Sequence, residues 1–399
     1  MTDTFILPMD SPITDLQLVG GKGANLSILT RAGYPVPSGF HITTAAYKAF
    51  TEEHRLNSLI NAMFEELTRD PNAIELVSKT IRSAFQNDSI PTALAQEILR
   101  AYQSLGRPCV AVRSSATAED LPELSFAGQQ DTFLNVLGDN SLLKAVIDCW
   151  SSLWTTRAIS YRTRNNISHK DLSLAVIVQK IVDSETSGVL FTANPLTGAR
   201  CQSVINASFG LGEAIVSGMV EPDEYVVDHQ LARIVTIKLG SKESQMIPQT
   251  GGGTLHVVSN EHQQALRDGQ ILELADIGQQ ITQHYGAPQD IEWAVENGKI
   301  LILQSRPITS LYPVPETLTD DPLQTLISFG AVQGIMDPIT PLGQDVLKLM
   351  FSGGARLFGY QQDYMTGTPL HTAGERLFVN VTPIFSNTVG RKLGLKALT

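Results

Sequence analysis

The sequence predicts an α+β fold with more than one lobe, and three observations carry that expectation. The hydrophobic period is helical from about residue 43 to 105 and turns strand-like at 109. The later apolar runs are short and punctuated by turn residues, as antiparallel hairpins require. The chain's 399 residues correspond to roughly two to three domains at about 150 residues each. Apolar residues at 42% and charged residues at 17% leave ample material for a globular core and exclude disorder for most of the chain.

The elements follow in order. Residues 13–40 open on a Gly-rich turn containing Gly20, Gly21, Lys22 and Gly23. In the helix ANLSILTRA that follows, Leu26, Leu29 and Ala32 recur at helical spacing, and Gly33 stands where a left-handed residue ends it. Helices occupy about 43–105, with breaks near Asp70-Pro71 and Ser89-Ile90-Pro91. CVAVRSSA at 109–116 and TFLNV at 132–136 read as strands, and LLKAVIDCWSSLWTTRAI as one long amphipathic helix. Strands are expected at 174–179, 187–192, 203–208 and 223–228. A helix over about 260–285, capped by Ser259 or Asn260, leads into a hairpin at 289–308. The proline- and acid-rich stretch 311–322 reads as a linker, and the tail beyond it offers a helix near 343–358 and a strand, RLFVNV.

The net charge of −11 gives no clustered cations for holding nucleic acid or an anionic membrane, so neither is an expected partner. Apolar runs such as LAVIV at 174–178 are strand-sized, far short of the ~20 residues that cross a bilayer. The N-terminus lacks a basic region and a long apolar run, so no signal peptide is expected and a cytoplasmic setting is. Cys109, Cys149 and Cys201 are odd in number and form no CxxC pair. They read as reduced, buried thiols.

Three motifs carry chemistry. In GGKGANL, glycines admit backbone N–H groups close to an anion, a helix N-terminus adds partial positive charge, and Lys22 supplies a full one. It is not a Walker A loop, because Gly23 rather than a hydroxyl residue follows the lysine. An ordinary glycine turn with a solvated lysine is the bland reading. In VAVRSSATAEDLPELSFAGQQDTFLNV, Arg113 ends a strand beside the hydroxyls of Ser114, Ser115 and Thr117, which suit phosphate oxygens. Glu119, Asp120 and Glu123 would repel a triphosphate if they faced it, so a solvated loop stays open.

The third motif is QDIEWAVENGKILILQSRPI, where register decides. A two-residue Asn-Gly turn pairs Val295 with Ile300 and leaves Glu292 on the face away from Gln304. A three-residue turn with Gly298 as a bulge pairs Val295 with Lys299 and gathers Asp290, Glu292, Gln304 and Arg306 on one face, with Ile291, Trp293, Val295, Leu301 and Leu303 on the other. The bulged register is the expected one. Carboxylate and amide oxygens beside an arginine suit Mg²⁺ held with a polyphosphate, and a polar solvent face on an amphipathic hairpin is the alternative.

In one order, GGKGANL, RSSATAEDLPELSFAGQQDTF, SGVLFTANPLTG, FGLGEAIVSGMVEPDEY and DIEWAVENGKILILQSRPIT resemble the nucleotide-binding region of the phosphoenolpyruvate synthase and pyruvate phosphate dikinase family, over about residues 13–310. The resemblance implies a bilobed ATP-grasp fold spanning 1–310, its lobes at about 1–175 and 176–310 clamping ATP and Mg²⁺. It implies that Lys22, Arg113 and Arg306 are catalytic cations on the phosphates, and that Gly128 and Thr132 belong to the loop over the triphosphate. It further implies that Gln179 meets the adenine, that Glu292 and Gln304 are magnesium ligands, and that Asp290 is their neighbour. Residues 323–399, with FGAVQGIMDPITPLG, resemble the start of an acceptor-side domain in the synthase-like branch that includes rifamycin phosphotransferases.

Family members relay phosphoryl through a histidine in a Gly-rich motif ending Ser/Thr-His-Ala. None of the eight histidines has that context; His371 in TPLHTAG lacks the preceding glycines and hydroxyl. The expected function is therefore the ATP-binding half of a phosphoenolpyruvate synthase-like phosphotransferase, with Mg·ATP as donor to a phosphohistidine domain not present in this chain and a separate acceptor chain as partner. The alternatives are the same half of a rifamycin phosphotransferase-type antibiotic kinase, or a non-catalytic ATP-binding remnant. An ATP-grasp ligase forming acyl phosphates fits the motifs least.

Overall fold

A computed structural model describes residues 4–117, 120–121, 124–125, 131–165, 167–169, 172–259, 263–311, 313–315, 324–334, 338–357 and 370–382. The chain divides into two compact units, Met1–Ser310 and Leu311–Thr399.

The first unit opens with strand β1 (Ile6–Pro8) and helix α1 (Leu16–Arg31). Asp15 caps α1 by accepting the Gln17 amide at 2.8 Å. The expected Gly-rich turn is built into this helix: Gly20, at φ 69° and ψ 174°, breaks it before Lys22. Gly33 follows the helix with φ 85°, the left-handed exit that its place in the sequence predicts. Strand β2 (Gly39–Ile42) precedes helices α2 (Thr44–Glu53), α3 (Leu56–Arg69), α4 (Ile74–Asn87) and α5 (Thr92–Ser104). The break at Asp70-Pro71 is a short 3-10 turn whose Asp70 carboxylate accepts the Asn72 amide at 2.9 Å.

Strands β3 (Val110–Ala116), β4 (Asp120–Leu121), β5 (Leu124–Ser125) and β6 (Thr132–Val136) follow. The expected long helix is two, α6 (Asp139–Ser152) and α7 (Thr156–Arg164), because the Thr155 hydroxyl accepts the Ala158 amide and caps a new start. Strand β7 (Leu174–Lys180) completes a five-stranded antiparallel sheet of order β1-β2-β7-β3-β6. Central β7 is buried on both faces, which is why LAVIV reads as a continuous apolar run. Leu174, Val176 and Val178 join a helical core with Trp150, Tyr47 and Phe85, while Ile177 meets Leu26 of α1. The expected lobe boundary at 175/176 falls inside β7; this sheet keeps the chain through Lys180.

The second sheet has order β11-β10-β9-β8-β14-β15. It is built from β8 (Thr186–Phe191), β9 (Gln202–Phe209), the short helix α8 (Glu213–Val216), β10 (Asp223–Asp228) and β11 (Arg233–Lys238). A separate hairpin, β12 (Ser244–Pro248) with β13 (Thr254–Val258), and helix α9 (Asp268–Tyr285) lead to β14 (Gln289–Glu296) and β15 (Lys299–Pro307). Helix α9 starts eight residues later than 260, after Arg267, whose backbone amide donates to Gln270 Oε1 at 3.2 Å. It lays Ile271, Leu274 and Ile281 on Ile291, Trp293 and Ile302.

The β14–β15 register departs from expectation in an instructive way. Asn297 (φ 52°) and Gly298 (φ 72°) are both left-handed, so the turn is the two-residue type and Val295 pairs with Ile300. The bulge lies further along, between Glu292 and Trp293 on one strand and Gln304 and Ile302 on the other, with Leu303 the extra residue. It restores Glu292 opposite Gln304 and places Asp290 opposite Arg306. The apolar face is accordingly Ile291, Trp293, Val295, Ile300 and Ile302, not Leu301 and Leu303.

The second unit holds β16 (Leu326–Ser328), α10 (Phe329–Gln333), α11 (Pro341–Leu357), β17 (Leu370–Ala373) and β18 (Arg376–Asn380), its sheet ordered β16-β18-β17. All three cysteines are free thiols; Cys149 is buried, whereas Cys109 and Cys201, expected to be buried, are partly exposed. Among the described residues, no helix is long and apolar enough to cross a membrane.

Candidate functional site

The two sheets of the first unit face a cleft of about 690 Å³, lined by Lys22, Arg113, Thr132, Gln179, Glu292, Gln304 and Arg306 among others. Seven of the eight candidate residues thus meet in one place; Gly128 lies outside the described residues.

Arg113 lies in the middle of β3 rather than at a strand end as expected, because the strand runs on to Ala116; its backbone is paired to β6 through Thr132 and to β7 through Ile177. Its guanidinium reaches across to the second sheet. Nη1 donates to the Leu303 carbonyl at 2.9 Å, and Nη2 donates to Glu292 Oε2 at 2.7 Å and Gln304 Oε1 at 2.6 Å. One nitrogen therefore joins the carboxylate and amide oxygens that the bulged hairpin brings side by side.

Lys22 sits on the Gly20 break and points its Nζ at the Ser114 carbonyl, 3.4 Å away. The neighbouring hydroxyls do not face the cleft as phosphate donors. Ser114 Oγ donates to the Asp131 carbonyl at 3.1 Å, and Ser115 Oγ donates to the Val19 carbonyl at 2.7 Å while accepting the Gly23 amide. Their work is to fasten the Gly-rich turn and β6 to β3. Arg306 is clasped by Asp290, whose Oδ2 accepts Nε at 2.9 Å and lies 2.7 Å from Nη2. Burial pushes the Asp290 carboxyl above the ordinary carboxylate range, against the pull of Arg306. Gln179 is 2% exposed, and its Nε2 has no hydrogen-bond partner. A buried donor left unpaired is costly, so this amide is poised for a ligand acceptor at the cleft wall.

Reasoning from sequence assigned no role to Glu213. It opens α8 after the Gly-Leu-Gly turn and lines the same cleft. Burial raises its carboxyl, the Glu292 charge adds to that, and Arg113 opposes it. The signal was available in FGLGEAIVSG, whose single acid follows two glycines at a helix start. The Leu303 carbonyl carried no signal, because only the bulge turns it toward Arg113.

The donor set fits a hard cation shared with phosphate. Among the described residues no three His, Cys, Asp or Glu side chains group as metal ligands, so these residues form no closed cage. Glu292 and Gln304 supply one carboxylate and one amide oxygen, which suits Mg²⁺ that completes its shell with phosphate and water.

Comparison with known proteins gives a consistent result. Residues 16–321 match the family described as pyruvate phosphate dikinase, AMP/ATP-binding domain. Proteins named rifampicin phosphotransferase, from Streptomyces sviceus and Bacillus subtilis, are 41% and 40% identical, each over 96% of this chain and 43% of their own length. A protein named phosphoenolpyruvate synthase, from Pyrococcus furiosus, is 44% identical over 74% of this chain and 42% of its own. The chain thus spans less than half the length of these curated relatives.

Proposed function

The chain belongs to the family of pyruvate phosphate dikinase AMP/ATP-binding domains, and from that premise we propose that its first unit is an ATP-grasp clamp holding Mg·ATP as phosphoryl donor. The observation that carries this reading is the convergence of Arg113 from one sheet with Glu292 and Gln304 from the other, in a cleft that also holds Lys22, Gln179 and Arg306. Lys22, Arg113 and Arg306 neutralise the polyphosphate and the charge that develops on the transferring group. Glu292 and Gln304 hold Mg²⁺, and Asp290 keeps Arg306 aimed. Gln179 gives its unpaired amide to the adenine, and Thr132, with Gly128, belongs to the segment over the phosphates. Bound magnesium supplies charge neutralisation and a fixed phosphate geometry.

The acceptor is a histidine on a phosphohistidine domain outside these 399 residues. Its ring nitrogen attacks phosphorus, a P–N bond forms as a P–O bond breaks, and the departing phosphate oxygen leaves with the electron pair. The setting is cytoplasmic. The test is binding and label transfer. Mg·ATP at 100 times its Kd should stabilise the chain by about 2.7 kcal/mol, and label from ATP should move to a supplied phosphohistidine domain. Pyruvate-dependent phosphoenolpyruvate formation by this chain alone, or no stabilisation by Mg·ATP, would overturn the reading.

A second reading concerns the final acceptor. A match over 96% of the chain must take in most of Leu311–Thr399, and it belongs to proteins named rifampicin phosphotransferase. This coverage favours a rifamycin-type antibiotic over pyruvate as final acceptor. Supplying the phosphohistidine domain with rifampicin or pyruvate in parallel separates the two.

A further inference from the structure

We propose that in the nucleotide-free chain Arg113 is a built-in counter-cation that keeps the metal site closed, so that Glu292 and Gln304 take a divalent cation only after phosphate has drawn the guanidinium away. The proposal rests on the reading above, in which Glu292 and Gln304 hold the metal and Arg113 binds phosphate.

The three oxygens that Arg113 contacts are a carboxylate, a side-chain amide and a backbone carbonyl: Glu292 Oε2 at 2.7 Å, Gln304 Oε1 at 2.6 Å and Leu303 O at 2.9 Å. These are the donor types that a hard cation uses. A guanidinium nitrogen within hydrogen-bond distance of both side-chain oxygens competes for the same lone pairs, and its charge repels a dication. The Arg113 side chain is 11% exposed and that of Glu292 29%, so solvent screens this repulsion only in part.

The cleft's other groups make the exchange conditional rather than merely competitive. Arg306 is already clasped by Asp290, and Lys22 approaches the Ser114 carbonyl. The Glu292 charge adds to the burial that raises the Glu213 carboxyl, and Arg113 opposes it. When Arg113 leaves, the cleft loses the cation that offsets these carboxylates, and a dication restores the balance. Departure needs only side-chain torsion, because the Arg113 backbone is held by ladders on both sides. Polyphosphate provides the stronger acceptor, since it offers paired charged oxygens to the guanidinium fork. Nucleotide and metal therefore bind with positive coupling, and each raises the other's affinity by the same factor.

Mn²⁺ serves as the probe, read by electron paramagnetic resonance on the full chain. With a non-hydrolysable ATP analogue the unsubstituted chain should hold Mn²⁺ at a site that Glu292→Gln removes. Failure of that arm overturns both the metal assignment and this proposal. Without nucleotide, Arg113→Met should bind Mn²⁺ about 10-fold or more tightly than the unsubstituted chain, and Glu292→Gln added to it should erase the gain. If the first arm holds and a folded Arg113→Met shows no gain, the proposal alone is overturned. Arginine side-chain NMR of the unsubstituted chain needs no variant: in EDTA the ATP analogue should shift the Arg113 guanidinium signals, and Mg²⁺ alone should leave them in place. Signals moved by Mg²⁺ alone would equally overturn it.

Discussion

Ser115 Oγ accepts the Gly23 amide at 3.0 Å and fastens the Gly-rich turn to β3 of the five-stranded sheet. The same hydroxyl donates to the Val19 carbonyl at 2.7 Å, so the residues on either side of the Gly20 break are tied to one side chain. Lys22 is placed in the cleft by that tie. A Cβ on Gly20 would lie 2.3 Å from the Ser115 carbonyl oxygen, at a φ of 69° that side chains disfavour.

Ser115→Ala, which removes both hydrogen bonds, should cost about 1–3 kcal/mol of stability. Gly20→Ala should cost more, because a steric clash adds to the strained backbone. Denaturant unfolding of the two variants gives the comparison; a neutral Gly20→Ala would show that the turn is not packed as described.

Lys22→Ala should weaken ATP at least 10-fold, about 1.4 kcal/mol, and leave adenosine nearly unchanged. Gln179→Ala should weaken both by a similar factor, because its unpaired amide is assigned to the base. Calorimetric titration with the two ligands distinguishes these outcomes, and a loss of adenosine in Lys22→Ala would place the lysine away from the phosphates.

Asp223 and Lys242 form an ion pair with both side chains wholly buried. The Asp223 carboxylate also accepts the Tyr225 hydroxyl at 2.8 Å and the Gly240 and Ala265 amides at 2.9 and 2.8 Å. Lys242→Met should destabilise by about 3–5 kcal/mol, since it strands a buried charge, whereas Asp223→Asn with Lys242→Met should recover part of that loss. Thermal melts of the single and double variants read the difference, and an unaffected single variant would sink it.

His169 stacks on Phe64 with ring centroids 4.2 Å apart, and its Nδ1 accepts the Arg162 Nε–H at 3.1 Å. Burial, with Arg162 adding to it, lowers its pKa from 6.5 to about 4. The unfolded chain therefore takes up this proton first. Stability from the neutral ring is complete above about 6.5 and is lost as pH falls toward 4. His169→Phe should flatten the pH dependence of unfolding in that window, and an unchanged slope would remove His169 from the acid response.

By itself the sequence determined the local elements and named the candidate residues that meet in the cleft. The Gly33 exit, the Asp70-Pro71 break and the burial of LAVIV follow from chemistry acting over a few residues. Motif order alone pointed to Lys22, Arg113, Glu292, Gln304 and Arg306. Two expectations failed although the local signal was present: the Asn-Gly turn took its two-residue form where a three-residue bulged turn was expected, and Thr155 caps a second helix where one long helix was expected. Only the tertiary structure decided that Leu303 bulges, that Glu292 therefore faces Gln304, and that Arg113, 179 residues before Glu292, bridges the pair. The physical reason is that hydrogen-bond partners across two sheets are chosen by how those sheets close on a shared cleft, and no spacing along the chain encodes that distance.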